Sequence, residues 1–183
     1  MIYPKVSIMA KAIVYTSNTG YTEEYARLLG EETGLPVYSL KDAADSLERG
    51  TGIIYLGWLM AGTVKGFKKA AECYNIEAVC GVGMGATGSQ ISDLRKANKL
   101  PEELPAFTLQ GGYAPDRLRG VYRFMMTIMS KTLGKAIAGK QNRTPEEEDM
   151  LELLQNGGNR VGREQLKALL DWYGSASKES VAG

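Results

Sequence analysis

The chain has 183 residues, a formal net charge of +1, 23% charged and 44% hydrophobic residues, and no histidine. This is the profile of one globular domain, without the one-signed field that would point to nucleic acid or to a strongly acidic partner. The missing histidines exclude Ser-His-Asp and Cys-His catalysis, His-ligated zinc and haem, and imidazole proton shuttles.

Residues 1–10 read as an N-terminal extension without the pattern of a signal peptide. No run of about 18 apolar residues is present to cross a membrane, and the expected compartment is the cytoplasm. The first predicted strand covers 11–16. It feeds a polar loop, Ser17-Asn18-Thr19-Gly20-Tyr21-Thr22, and a helix over 21–32 with Thr22 as its expected cap. Strand, hydroxyl-rich loop and helix N-terminus in that order make a phosphate site. The first helical N–H groups lack internal partners, and the helix dipole is positive there. The loop lacks the lysine of a P-loop, which argues against a triphosphate with Mg²⁺. It also lacks G-x-G-x-x-G, which argues against a dinucleotide. With no base in the loop, neutral donors are expected to hold the dianion.

Gly34 ends the first helix, a short second strand covers 36–40, and one or two helical turns cover 41–47. The apolar run Ile53-Ile54-Tyr55-Leu56 within 52–57 reads as a third strand buried on both faces. Its following loop is Gly57-Trp58-Leu59-Met60-Ala61-Gly62-Thr63. A helix over 65–74, a fourth strand over 76–82 and a glycine-rich loop, Gly83-Met84-Gly85-Ala86-Thr87-Gly88, come next. A helix over 89–97 and a fifth strand over 106–109 complete the alternation, which indicates a parallel sheet covered on both sides. Cys73 and Cys80 read as small core residues in a reducing compartment, with a disulfide left open.

The Ser-x-Thr-Gly-x-Thr pattern closely resembles the FMN phosphate loop of flavodoxins, with Ser17, Asn18, Thr19, Gly20, Tyr21 and Thr22 at the family's positions. The resemblance implies a doubly wound, three-layer α/β fold over 11–173, with a five-stranded parallel sheet in the order 2-1-3-4-5. It also implies FMN as cofactor. The isoalloxazine would be gripped by Trp58, Leu59, Met60 and Ala61 of the second loop and Gly83, Met84 and Gly85 of the third. Trp58 comes earlier than the family's usual aromatic, so it stacks on the flavin or points into the core. The third loop has no aromatic ring, which would leave one flavin face open to a second molecule.

Residues 116–140 carry six bases against the single acid Asp116, with Phe124, Met125, Ile128, Met129, Leu133 and Ile137 at helical spacing. Such a helix covers the sheet with a solvated basic face, or it meets an anionic membrane or a partner. Tyr122-Arg123-Phe124-Met125 with Ile128, Met129 and Lys131 resembles, more weakly, the corresponding helix of menaquinone-dependent protoporphyrinogen oxidases. Those are FMN enzymes of the same fold at the cytoplasmic membrane face, but their long insertion before the last strand is missing here. Thr144-Pro145 followed by Glu146, Glu147, Glu148 and Asp149 is a helix start, not a metal site. A last helix covers 163–173, and the polar stretch 174–183 is expected to be disordered.

The functional expectation is an FMN-binding redox protein, a carrier or an oxidoreductase, exchanging electrons with a partner protein, a quinone or another organic substrate. A phosphate-binding or regulatory module without flavin is the alternative. No side chain is singled out as a catalytic acid or base, no metal is expected, and nucleic acid is not an expected partner.

Overall fold

A computed structural model describes residues 9–181. Of the expected 1–10 extension, only Met9 and Ala10 lie within the described residues, and Ala10 is buried in the core. The central sheet is built from β1 (Ala12–Thr16), β2 (Val37–Ser39), β3 (Gly52–Met60), β4 (Thr63–Val64), β5 (Asn75–Gly83) and β6 (Ala106–Gln110). Its order is β2-β1-β3-β5-β6, with the short β4 folded back antiparallel on β3. Setting β4 aside, this is the expected 2-1-3-4-5 order, and every pairing along it is parallel.

The alternation along β3 shows why the sheet is sandwiched. Ile54 and Leu56 pack on one face with Tyr25 and Leu29 of α1 (Tyr21–Thr33) and Leu169 of the last helix. Ile53 and Tyr55 pack on the other face with Ala43 of α2 (Leu40–Ser46), Ala70 of α3 (Phe67–Cys73) and Leu94 of α4 (Ile91–Asn98). With period-two alternation, a strand apolar at every position must be covered twice. Cys80 on β5 is buried among these side chains and both cysteines are free, so the disulfide left open by the sequence is not formed.

Beyond β6 the chain makes an excursion. A two-residue strand β7 (Gly112–Tyr113) pairs antiparallel with β8 (Gly158–Asn159). Between them stand a 3₁₀ turn at Pro115–Arg117, α5 (Gly120–Ala138) and α6 (Pro145–Asn156). Thr144 and Glu147 close a capping box at the start of α6, as the Thr-Pro-acid signature predicts. The basic helix does not cover the sheet, contrary to the first of its two expected placements. It packs on α6, and Ile137 is its one buried residue. The covering role belongs to α7 (Lys167–Val181), whose Leu169 lies in the core and whose Trp172 meets Phe107 at 6.1 Å.

α7 continues through residues 174–181 of the stretch expected to be disordered. Lys, Ala, Ser and Glu are adequate helix formers, so a helix anchored by Leu169 and Trp172 propagates through them without its own apolar face.

One buried polar group ties the sheet to its loops. The Tyr55 hydroxyl donates to the Lys65 carbonyl at 2.8 Å and shares a 2.7 Å hydrogen bond with the Thr16 hydroxyl. Tyr55→Phe leaves both partners short of a bond and should destabilise the fold by about 1–2 kcal/mol in urea denaturation. Burial pushes the Tyr55 phenol from 10.0 up to about 12. The folded chain therefore keeps a proton that the unfolded chain has released, and stability falls as pH rises from 10 towards 12. The variant should show a shallower fall over that range.

Candidate functional site

β1 lies between β2 and β3, so the chain leaves it towards one side of the sheet and leaves β3 towards the other. The β1–α1 loop and the connection after β3 thus diverge at the carboxyl ends of two adjacent strands and leave a crevice, the usual ligand position in an open parallel sheet. A cavity of about 210 Å³ occupies it. Ten of the thirteen residues expected to form a site line this one cavity: Asn18, Thr19, Tyr21, Thr22, Trp58, Leu59, Ala61, Gly83, Met84 and Gly85. Ser17, Gly20 and Met60 do not line it. Ser17 lies on the opposite side of its loop beside Glu23 and Ser39, and Met60 pairs with Thr63.

The polar loop is pre-shaped. Gly20 has φ 101°, a left-handed value that a residue with a Cβ rarely adopts, and it is the cap of α1 in place of the expected Thr22. The Ser17 hydroxyl accepts from the Gly20 N–H at 3.1 Å, while Thr22 sits one residue inside the helix and is buried. The first intrahelical bond runs from the Glu24 N–H to the Gly20 carbonyl, so the Tyr21, Thr22 and Glu23 N–H groups have no partner within the helix. The loop itself holds no base, and Arg117 approaches it from outside. Its guanidinium donates to the Thr19 carbonyl at 3.1 Å, from 98 residues away in sequence.

The second loop is a hairpin. β3 runs on to Met60, so Trp58, Leu59 and Met60 are strand residues, and Ala61 and Gly62 turn the chain with φ 48° and 78°. Two successive positive φ values suit the tight turn that joins twisted antiparallel strands. Trp58 is half-buried at the cavity wall, outside the core. Its ring meets Tyr122 of α5 edge-on at 5.2 Å, and the Lys65 ammonium lies 5.6 Å from both ring centroids.

The third loop is tied down. The Gly88 N–H donates to Thr108, the Gln110 N–H donates to the Thr87 hydroxyl at 3.0 Å, and the Gln110 side-chain amide donates to the Met84 carbonyl at 3.1 Å. Beside it the cavity is walled by side chains. A Cβ on Gly85 would meet the Gln90 amide at 2.8 Å, and Met126, Met129 and Leu133 of α5, Met150 of α6 and Tyr113 complete the cavity wall.

The α5–α6 unit is fastened across this cavity by polar contacts. The Tyr21 hydroxyl donates to the Gly158 carbonyl at 3.0 Å, and a Cβ on Gly112 would come within 2.9 Å of the Tyr21 ring. Burial raises the Tyr21 phenol pKa, with Arg117 opposing and Glu24 assisting. Asp149 of α6 accepts from Arg160 at 2.9 Å and from Gln110 at 2.6 Å, and the Arg160 N–H donates to the Gly111 carbonyl at 2.7 Å. Among the described residues no cluster of carboxylates and thiols is placed to hold a metal ion. Comparison with protein-family models, with curated proteins and with solved structures finds no match to this chain.

Asp149 joins α6 to β6, so Asp149→Asn should loosen the α5–α6 unit from the sheet. The pair is partly exposed, and the expected loss is about 1–2 kcal/mol in urea denaturation. Limited proteolysis should then cut faster between residues 114 and 157 than in the remaining chain.

Proposed function

We propose that the chain is a flavodoxin-like FMN-binding redox protein that exchanges electrons with an organic substrate such as a quinone, or with a redox partner. The observation that carries this reading is the convergence of three loops on one cavity at the β1/β3 crossover. One loop offers hydroxyls and free helix N–H groups, the second an aromatic hairpin, and the third a glycine-rich backbone. The donor set suits a phosphate monoester. Thr19 and Thr22 supply hydroxyls, and Arg117 adds the positive charge that the loop lacks. The apolar remainder, with Trp58, Leu59, Met84 and Tyr113, suits a flat ring system.

FMN, once bound, supplies reversible redox chemistry, and the chain's own residues bind and position it. Trp58, held by Tyr122 and Lys65, forms a fixed aromatic wall. The 83–88 backbone, fixed through Thr108 and Gln110, presents peptide groups to the polar edge of a ring. A cavity of about 210 Å³ is smaller than the roughly 300–1,000 Å³ of sites for ligands of this size. The side chains that give way are Met126, Met129 and Met150, flexible thioethers on the α5–α6 unit. A phosphate-binding module without flavin is the second reading, and the small cavity is the observation in its favour.

Titration with FMN and riboflavin separates the two readings. Thr19→Ala should weaken FMN binding by about 1–3 kcal/mol and leave riboflavin binding nearly unchanged. Equal losses for both ligands would mean that the polar loop does not hold the phosphate. Binding of inorganic phosphate with no affinity for either flavin would favour the second reading.

A further inference from the structure

We propose that α5 docks on an anionic lipid surface, lying in the interface rather than crossing it. Val121, Phe124, Met125 and Ile128 would face the acyl chains, with Arg119, Arg123, Lys131 and Lys135 at the headgroups. The four apolar residues recur at the spacing of one helix face and stand in solvent, with Val121 63%, Phe124 67% and Ile128 52% exposed. An exposed contiguous apolar stripe on a folded chain marks an interaction surface.

Charge decides what covers it. From 117 to 140 the sequence holds six bases and no acid. Arg117 is engaged with Thr19 and Lys140 with Glu147, while Arg119, Arg123, Lys131 and Lys135 enter no ion pair among the described residues. A second copy would set this positive face against itself. An anionic bilayer supplies both a negative surface for the bases and an apolar layer for the stripe, with the long Lys and Arg stems reaching between them. No helix among the described residues is long and apolar enough to cross a membrane, so the contact is peripheral.

Met126, Met129 and Leu133 of the same helix line the cavity, so docking would fix that wall in place. The proposal does not depend on flavin. Vesicle binding is measured without it, so either reading can fail while the other stands.

The test is co-sedimentation of the full chain with vesicles of equal parts phosphatidylglycerol and phosphatidylcholine, against phosphatidylcholine alone. Binding should be confined to the anionic vesicles and should weaken with salt, because the attraction decays over about 8 Å at physiological ionic strength. Arg123→Gln, Lys131→Gln and Lys135→Gln together should lower affinity on the order of a hundredfold, about fivefold per base. Phe124→Ser with Ile128→Ser should lower it more than about tenfold, and circular dichroism should stay unchanged because both positions are exposed. The proposal is overturned if the unaltered chain ignores anionic vesicles at low salt, or if the Phe124→Ser, Ile128→Ser chain binds them equally well. Self-association in solution that this pair of substitutions abolishes would also overturn it, by assigning the stripe to a second copy.

Discussion

The arrangement depends on β1 being hydrogen-bonded on both of its edges, to β2 on one side and β3 on the other. That pairing forces the connections after the two strands to opposite faces of the sheet, and the crevice between them cannot be filled by either helix. It is stabilised by ordinary core physics. Ile13 and Ile54 are register partners buried on one face, and Ile53 and Tyr55 are buried on the other. Shifting β3 by one residue would move Ile53, Ile54 and Tyr55 to the wrong layer. The cavity is therefore a by-product of sheet order, made specific by what the three loops carry.

The excursion between β7 and β8 turns an open crevice into a walled one. Its helices do not rest on the sheet. They are held at the base by the paired two-residue strands β7 and β8, by the Tyr21–Gly158 hydrogen bond and by the Gln110–Asp149–Arg160 network. Polar and partly exposed ties of this kind stabilise weakly compared with core packing, so the α5–α6 unit belongs to the less stable part of the molecule. Under the proposed flavin reading, this is the element that gives way to admit the ligand.

Much of this was legible in the sequence because it rests on periodicity and local chemistry. The uninterrupted apolar run at 53–56 indicated a strand covered twice, and Thr144-Pro145 with its acids indicated the start of α6. The ends of the elements were less legible. Trp58, Leu59 and Met60 read as loop because nothing local announces the Leu59–Val64 pairing, and Ala61 is not a residue that signals a left-handed turn. Gly20 displaced Thr22 as the cap of α1 because the left-handed backbone at this position outweighs the preference for a hydroxyl there. Long-range contributors were not legible at all. Arg117 reaches Thr19, and Gln90, Tyr113 and Met150 reach the cavity, only through the tertiary fold. In the sequence the apolar residues of the basic helix form a single series at helical spacing. Met126, Met129 and Leu133 in fact line the cavity, while Val121, Phe124 and Ile128 face solvent.

The central claim, that the crevice at the β1/β3 crossover is a flavin site, is tested most directly by asking what the purified chain carries. It should be purified gently, denatured, and its released chromophore identified by chromatography, with a parallel sample reconstituted with FMN. A yellow protein that releases FMN rather than riboflavin or FAD is expected or, where purification strips the cofactor, a chain that takes up FMN stoichiometrically. A colourless chain whose addition leaves FMN fluorescence and absorbance unchanged would contradict it.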